Sequence, residues 1–143
     1  KKLLEECEIK PHVIQMEAHP YYRDEETISA LAPCGCRVMA WYPLGHGDHA
    51  LLEEPIVKEL AEKYEKSTAQ VILRWHTQVG NIVIPGSTNP EHIKANLDIF
   101  GFELTDEEMK KMEGLNKNVR YYYPDEEKLA AYVNMKIDLD SQK

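Results

Sequence analysis

The chain has 143 residues, of which 43% are hydrophobic and 29% are charged, a balance typical of a globular domain. No apolar stretch approaches the roughly 20 residues that a membrane-spanning helix needs, and the net charge of −8 argues against nucleic acid or an anionic membrane as partner. Any phosphate site must therefore be local, formed by backbone amides and a few basic groups.

Short helices and strands alternate from the first residues on. The amphipathic residues 2–8 predict the end of a helix, which Pro11 stops. The apolar run 12–17 predicts a buried strand. This strand ends at the pair His19-Pro20, because a residue before proline is driven out of the helical conformation.

The same alternation continues through the next forty residues. Acidic residues open a predicted surface helix over 24–33, and a second strand is predicted over 37–42. A loop with glycines follows from Pro43 to Asp48. Apolar side chains at helical spacing then predict a helix over 54–64.

Two short motifs predict helix starts closely. Residues 67–70 (STAQ) and 105–108 (TDEE) both match a capping box, in which the first side chain and the fourth satisfy each other's backbone N–H groups. The first motif predicts a helix to about Val79, and the second a helix that ends near Asn116. A last helix is predicted over 125–137.

A third predicted strand, residues 82–84, stops at Pro85 and leads into Gly86, Ser87, Thr88 and Asn89. A helix is predicted to begin directly afterwards, at Pro90. Small hydroxylated residues at this point either cap the helix or bind an anion, because N–H groups and the helix dipole converge there. The pattern alone leaves both interpretations open.

The alternation of strands and helices predicts an α/β fold with a parallel sheet covered by helices. Three strands are too few to protect their own edges, so they indicate part of a barrel or of a doubly wound sheet. The pattern does not choose between the two.

The loop after the second strand also matches a dinucleotide-binding fingerprint, Gly45-His46-Gly47-Asp48-His49-Ala50. The match is weak, because the next helix opens several residues later, at Pro55, and the acidic candidate Glu65 falls in a turn between helices. Two histidines and one carboxylate in a loop are equally weak evidence for a metal site. We predict an ordinary solvated loop and no metal.

Cys7, Cys34 and Cys36 are the three cysteines of the chain. Their odd number and their spacing fit neither a disulfide framework nor a zinc site. They predict reduced thiols and a cytoplasmic protein.

Four segments resemble, in order and at natural spacing, the second half of the aldo-keto reductases. They are VIQMEAHPYY, VMAWYPLGHG, AQVILRWHTQVGNIVIPGS and NPEHIKANLDIFGFELTDEEM. The resemblance implies a TIM-barrel, (β/α)₈, oxidoreductase that reduces aldehydes or ketones to alcohols with NADP(H) or NAD(H).

The resemblance also implies that this chain is an incomplete barrel. Residues 1–116 resemble strands six to eight with their helices, and residues 117–143 a C-terminal tail. Nothing here resembles the motifs that carry the family's catalytic tetrad, so no catalytic residue is expected in this chain. The chain begins at Lys1 rather than Met, which fits a natural chain that starts further upstream.

The resemblance assigns cofactor contacts to residues of all three strand ends. Gln15 would pair with the nicotinamide carboxamide and Trp41 would stack on its ring, while a polar strand face and core packing are the alternatives. Tyr42, Pro43, Leu44 and Gly45 would wrap the pyrophosphate. Gly86, Ser87, Thr88, Asn89 and His92 would surround the adenosine 2′-phosphate, and Asn96 would lie near the adenine. Glu17 and His19 match the family motif too, but a structural role is expected for both.

Two departures from the family pattern concern the 2′-phosphate. Gly86 stands where many NADPH-using members have lysine, and His92 where they often have arginine. Losing these charged donors weakens phosphate recognition, so the preference between NADPH and NADH is left open.

The tail tyrosines Tyr121, Tyr122 and Tyr123 either line the substrate pocket or pack over the barrel. The expected partners are a small carbonyl substrate and either the missing N-terminal half or a second copy. The alternative function is a non-catalytic fragment that binds the cofactor or another protein.

Overall fold

The computed structural model of the chain describes residues 2–135, so Ile137 of the predicted last helix lies outside the described residues. Three parallel strands form one sheet in the order β1 (Val13–Glu17), β2 (Arg37–Trp41) and β3 (Ile82–Val83). Val13 lies beside Arg37, and Met39 beside Ile82. The predicted parallel α/β arrangement is confirmed.

Eight helices connect and follow the strands within the described part of the chain. They are α1 (Lys2–Glu6), α2 (Glu25–Leu31), α3 (His49–Leu52), α4 (Pro55–Tyr64), α5 (Thr68–Gln78), α6 (Pro90–Leu97), α7 (Asp106–Glu113) and α8 (Glu126–Asn134). None of them is long and apolar enough to cross a membrane.

Both predicted capping boxes are present. The Ser67 hydroxyl accepts the Gln70 N–H at 3.2 Å, and the Gln70 side-chain oxygen accepts the Ser67 N–H at 3.0 Å. Thr105 and Glu108 make the same reciprocal pair at 3.3 and 2.8 Å. These local bonds fix where α5 and α7 begin, independently of the rest of the fold.

Several element boundaries differ from the sequence prediction. Strand β2 stops at Trp41 instead of Tyr42, because Tyr42 has a left-handed φ of 56° that a strand cannot contain. Helix α7 ends at Glu113 rather than near Asn116. Helix α3 is absent from the prediction, because four residues in a polar stretch give no usable periodicity.

The main core lies where α4, α5 and α7 pack together. Its largest fully buried side chains include Leu60, Ile72, Trp75 and Met112. A smaller cluster around Val38 and Ala40 packs beside the sheet. Helix α5 supplies residues to the main core and packs against β3, the strand that follows it.

Candidate functional site

The three parallel strands end on the same side of the molecule, where three adjoining cavities lie. The first, of about 260 Å³, is lined by Gln15, Trp41, Tyr122 and Tyr132. The second, of about 370 Å³, lies under the β2–α3 loop (residues 42–48) and reaches Pro85 and Gly86. The third, of about 430 Å³, lies against the start of α6.

Neighbouring cavities share lining residues, and we call the three cavities together the groove. Trp41 lines both the first cavity and the second, and Leu44 and Gly86 line both the second and the third. The groove brings together most of the residues predicted from the sequence: Gln15, Trp41, Tyr42, Pro43, Leu44, Gly86, Ser87, His92 and Asn96. Gly45, Thr88 and Asn89 lie outside its lining.

Trp41 is half-buried between other aromatic rings. The Tyr42 ring stacks on it with centroids 3.9 Å apart and planes 19° from parallel, and the Tyr122 ring meets it edge-on at 5.1 Å. One face of the indole is therefore already covered. A ligand ring that stacks on Trp41 must use the other face.

A neutral histidine of α5 is hydrogen-bonded to the β2–α3 loop. His76 on α5 donates its Nε2–H to the Pro43 carbonyl at 3.0 Å, and its Nδ1 accepts from the Asn81 side-chain amide at 3.0 Å. Burial lowers the pKa of His76 to about 4. Burial thus keeps the ring uncharged, and the two hydrogen bonds fix its tautomer.

Gly45 has a structural reason to be glycine. Its φ is +71°, and a Cβ there would lie 2.9 Å from the Leu51 side chain and 3.3 Å from the Tyr121 ring. Any other residue would clash and be strained. Gly45 thus shapes the loop beside the groove without lining it.

The turn between β3 and α6 caps its own helix. The Asn89 side chain accepts the Glu91 N–H at 3.0 Å, and the Ser87 hydroxyl accepts the Asn89 N–H at 3.1 Å. The capping interpretation of this turn is therefore confirmed. Ser87 also lines the third cavity together with His92 and Asn96, so the turn borders the groove as well.

Glu91, a carboxylate that lines the third cavity beside His92, was not predicted from the sequence. Its only signal was an acidic residue in the first turn of a helix, which normally indicates dipole compensation. Tyr132 of α8, which borders the first cavity with Tyr122, was not predicted as a site residue either.

Glu17 and His19 are buried, and they bond each other at 3.1 Å. Burial lowers the pKa of His19, although the Glu17 carboxylate opposes this effect. The three cysteines are free, and within residues 2–135 no three histidine, cysteine or acidic side chains are arranged to hold a metal ion.

Residues 1–117 match the model of the aldo/keto reductase family. The chain is 43% identical over 130 residues to human aldo-keto reductase family 1 member A1 and 46% identical over 124 residues to the chicken protein. These alignments cover 85% and 81% of this chain. The chain spans only 40% and 38% of the length of these two relatives.

Solved structures show the same relationship. An aldo-keto reductase from Brucella melitensis superposes with a TM-score of 0.74 at 41% identity, over 80% of this chain and 43% of the other. A Bombyx mori aldo-keto reductase in complex with NADP gives a TM-score of 0.76 at 35% identity, over 83% of this chain and 41% of the other. The three-stranded sheet is thus part of a TIM-type α/β barrel, and the chain belongs to the aldo/keto reductase family.

Proposed function

We propose that this chain is the cofactor-binding half of an NAD(P)H-dependent reductase that converts aldehydes or ketones to alcohols. The observation that carries the proposal is the groove at the C-terminal ends of the strands, which is where TIM-barrel enzymes bind their ligands. Nine of the residues that the family resemblance assigns to the cofactor line the three cavities of the groove. The structure in complex with NADP belongs to a relative whose chain superposes on this one.

The groove suits an elongated ligand with a ring at one end. The aromatic end at Trp41 offers one free indole face and the Gln15 amide, which can give and accept hydrogen bonds to a carboxamide. The middle is lined by the β2–α3 loop, and the far end by Ser87 and Asn96. We therefore assign nicotinamide, pyrophosphate and adenosine to these three cavities in that order.

When bound, the cofactor supplies the hydride. This half contributes binding and orientation, and it holds one ring face so that the other faces the substrate. The proton-donating group and its partners belong to the N-terminal half of the family's barrel, which residues 1–143 do not resemble. On its own, residues 1–143 should therefore bind the cofactor without reducing a carbonyl.

Calorimetric titration of the chain with NADPH and NADH tests the proposal. Trp41→Ala should weaken binding by about 1–3 kcal/mol, because a large aromatic contact is lost. Asn96→Ala should weaken it less, by about the worth of one hydrogen bond. His12→Ala, at the opposite end of β1, is the matched control and should bind as the wild type does. If neither cofactor binds, the proposal fails. If both bind and Trp41→Ala changes nothing, the ring assignment alone fails.

The alternative function is a cofactor-binding or interaction module without turnover. The observation that favours it is that residues 1–143 resemble the cofactor side of the family and do not resemble the motifs that carry its catalytic tetrad. A complete enzyme with residues 1–143 as its second half decides between the two. Aldehyde-dependent NADPH oxidation supports the reductase, whereas binding without oxidation supports the module.

A further inference from the structure

The chain after α7 returns to the C-terminal ends of the strands. We call residues 117–122 the return segment. Its first bonds are made at the end of β1, where the Lys117 and Val119 N–H groups donate to the Tyr21 carbonyl at 3.0 and 3.3 Å. The Lys117 ammonium also pairs with Glu54 at 3.0 Å. The return segment is thus bonded to two parts of the fold that are distant in sequence.

A buried carboxylate fixes the end of the return segment. Glu17, the last residue of β1, is 5% exposed and accepts the Tyr121 N–H at 2.6 Å and the Tyr122 N–H at 3.3 Å. His19 donates to the same carboxylate at 3.1 Å. A buried carboxylate with three donors is well satisfied, so the backbone at Tyr121 is held firmly.

The Tyr121 side chain then reaches across to the β2–α3 loop. Its hydroxyl donates to Asp48, and its ring lies directly over Gly45, where a Cβ would come within 3.3 Å of it. The ring also contacts the His19 ring, with centroids 4.7 Å apart. The second oxygen of Asp48 accepts the Ala50 N–H at 2.8 Å and caps α3.

The β2–α3 loop needs such support. Four residues of the loop have positive φ: Tyr42, Gly45, His46 and Gly47. This conformation is unfavourable for Tyr42 and His46, because they carry a Cβ. His76 holds the loop at the Pro43 carbonyl. Tyr121 holds it at Gly45 and Asp48.

We propose that Tyr121 is a positioning residue that holds the β2–α3 loop, and with it the middle of the groove, in its observed shape. The effect on the cofactor rests on the proposed function, whereas the effect on the loop does not. Tyr121 lies outside the lining of the groove, so it acts through Gly45 and Asp48 and not by touching the ligand.

Amide hydrogen exchange in the full chain tests the loop directly. Tyr121→Phe keeps the ring over Gly45 and removes only the hydroxyl. Exchange over residues 45–50 should become about tenfold faster, the scale of one hydrogen bond to a charged group. Exchange within α5, which reports global unfolding, should change less. In an Asp48→Asn background the same substitution should have a smaller effect, because the charged acceptor is already gone.

Tyr64→Phe is the matched control, because the Tyr64 hydroxyl donates to the Glu108 carboxylate at 2.7 Å, away from the groove. It should leave exchange at 45–50 unchanged. With NADPH as the probe, the dissociation constant should rise about threefold to tenfold for Tyr121→Phe and stay constant for Tyr64→Phe.

Unchanged loop exchange in Tyr121→Phe, or an equal acceleration in α5, would overturn the proposal. Faster loop exchange with unchanged NADPH affinity would overturn the link to the cofactor. If the wild-type chain binds no NADPH, the proposed function fails, and the exchange rates alone then decide whether Tyr121 holds the loop.

Discussion

At the scale of single residues, Gly86 and Glu91 line the third cavity, in which we propose that the 2′-phosphate binds. Neither residue offers a positive charge. A Cβ at Gly86 would meet nothing within 4 Å, so a longer side chain fits there without strain. The same cavity contains the Glu91 carboxylate, which disfavours a second anion.

Gly86→Lys should therefore increase the preference for NADPH over NADH by about 1–2 kcal/mol, the worth of one charge-assisted contact in a partly exposed site. Glu91→Gln should shift the preference in the same direction by less. The measurement is the ratio of the dissociation constants for the two cofactors. Gly101→Lys adds the same charge at an open position outside the groove lining and is the control. If Gly86→Lys does not change this ratio, the 2′-phosphate is recognised elsewhere.

His76 makes stability depend on pH. Burial lowers its pKa to about 4 in the folded chain, against an ordinary histidine pKa of 6.5 after unfolding, so the unfolded state binds more protons between these values. Stability is then complete above about pH 6.5 and falls toward pH 4, by at most about 3 kcal/mol.

Denaturant unfolding at a series of pH values between about 7 and about 4.5, the window in which the two states differ in bound protons, measures this effect. His76→Gln should flatten the decline, although it lowers stability at neutral pH. His12→Gln, at an exposed position, should keep the wild-type slope. Equal slopes in all three proteins would show that His76 is not the group responsible.

At the scale of elements, local bonds decide what could be predicted. The starts of α5 and α7 follow from capping boxes within four residues, and the structure contains both. The bonds from Tyr121 to Glu17 and to Asp48 span 104 and 73 residues. No pattern in one sequence encodes such pairs, so the sequence left the role of the tail tyrosines open.

The residues of the groove also fall into those that a sequence motif predicts and those that it does not. Gln15, Trp41 and Asn96 were predicted because family motifs carry them, whereas Glu91 and Tyr132 have no motif and enter only through tertiary packing. Gly45 stays a predicted pyrophosphate contact, and the structure shows it buried under Tyr121.

Ser67→Ala should destabilise the chain by about 1 kcal/mol, since it removes one half of a capping box. Ser29→Ala, in the middle of α2 and exposed, makes the same chemical change without a cap and should be neutral or slightly stabilising. The melting temperatures of the two variants and the wild type are compared by thermal denaturation. If Ser67→Ala melts at or above the melting temperature of Ser29→Ala, the assignment of the cap is contradicted.

At the scale of the whole molecule, the described sheet is open at both edges. Strands β1 and β3 each pair on one side only within residues 2–135. Beside β1 lies an apolar cavity of about 630 Å³ that Leu4, Val13, Ile14 and Leu31 help to line. Open edges and exposed apolar surface favour association.

We therefore predict that isolated 1–143 associates with itself or with the missing half. Sedimentation at increasing concentration should show larger species, and Val13→Lys at the β1 edge should reduce them. Val133→Lys places the same charge on an exposed position of α8, which is not a strand edge, and should not reduce them. A monomer with a sharp melt that does not depend on concentration would contradict the prediction.

We propose that the groove at the strand ends binds a nicotinamide cofactor. Hydrogen exchange of residues 1–143 with and without saturating NADPH is the sharpest test, because it shows where the ligand lies. We expect slower exchange in peptides that cover 39–47 and 84–96, and unchanged exchange in the peptides at 2–14 and 26–31, beside the apolar cavity. Slower exchange confined to that cavity, or no change anywhere, would contradict it.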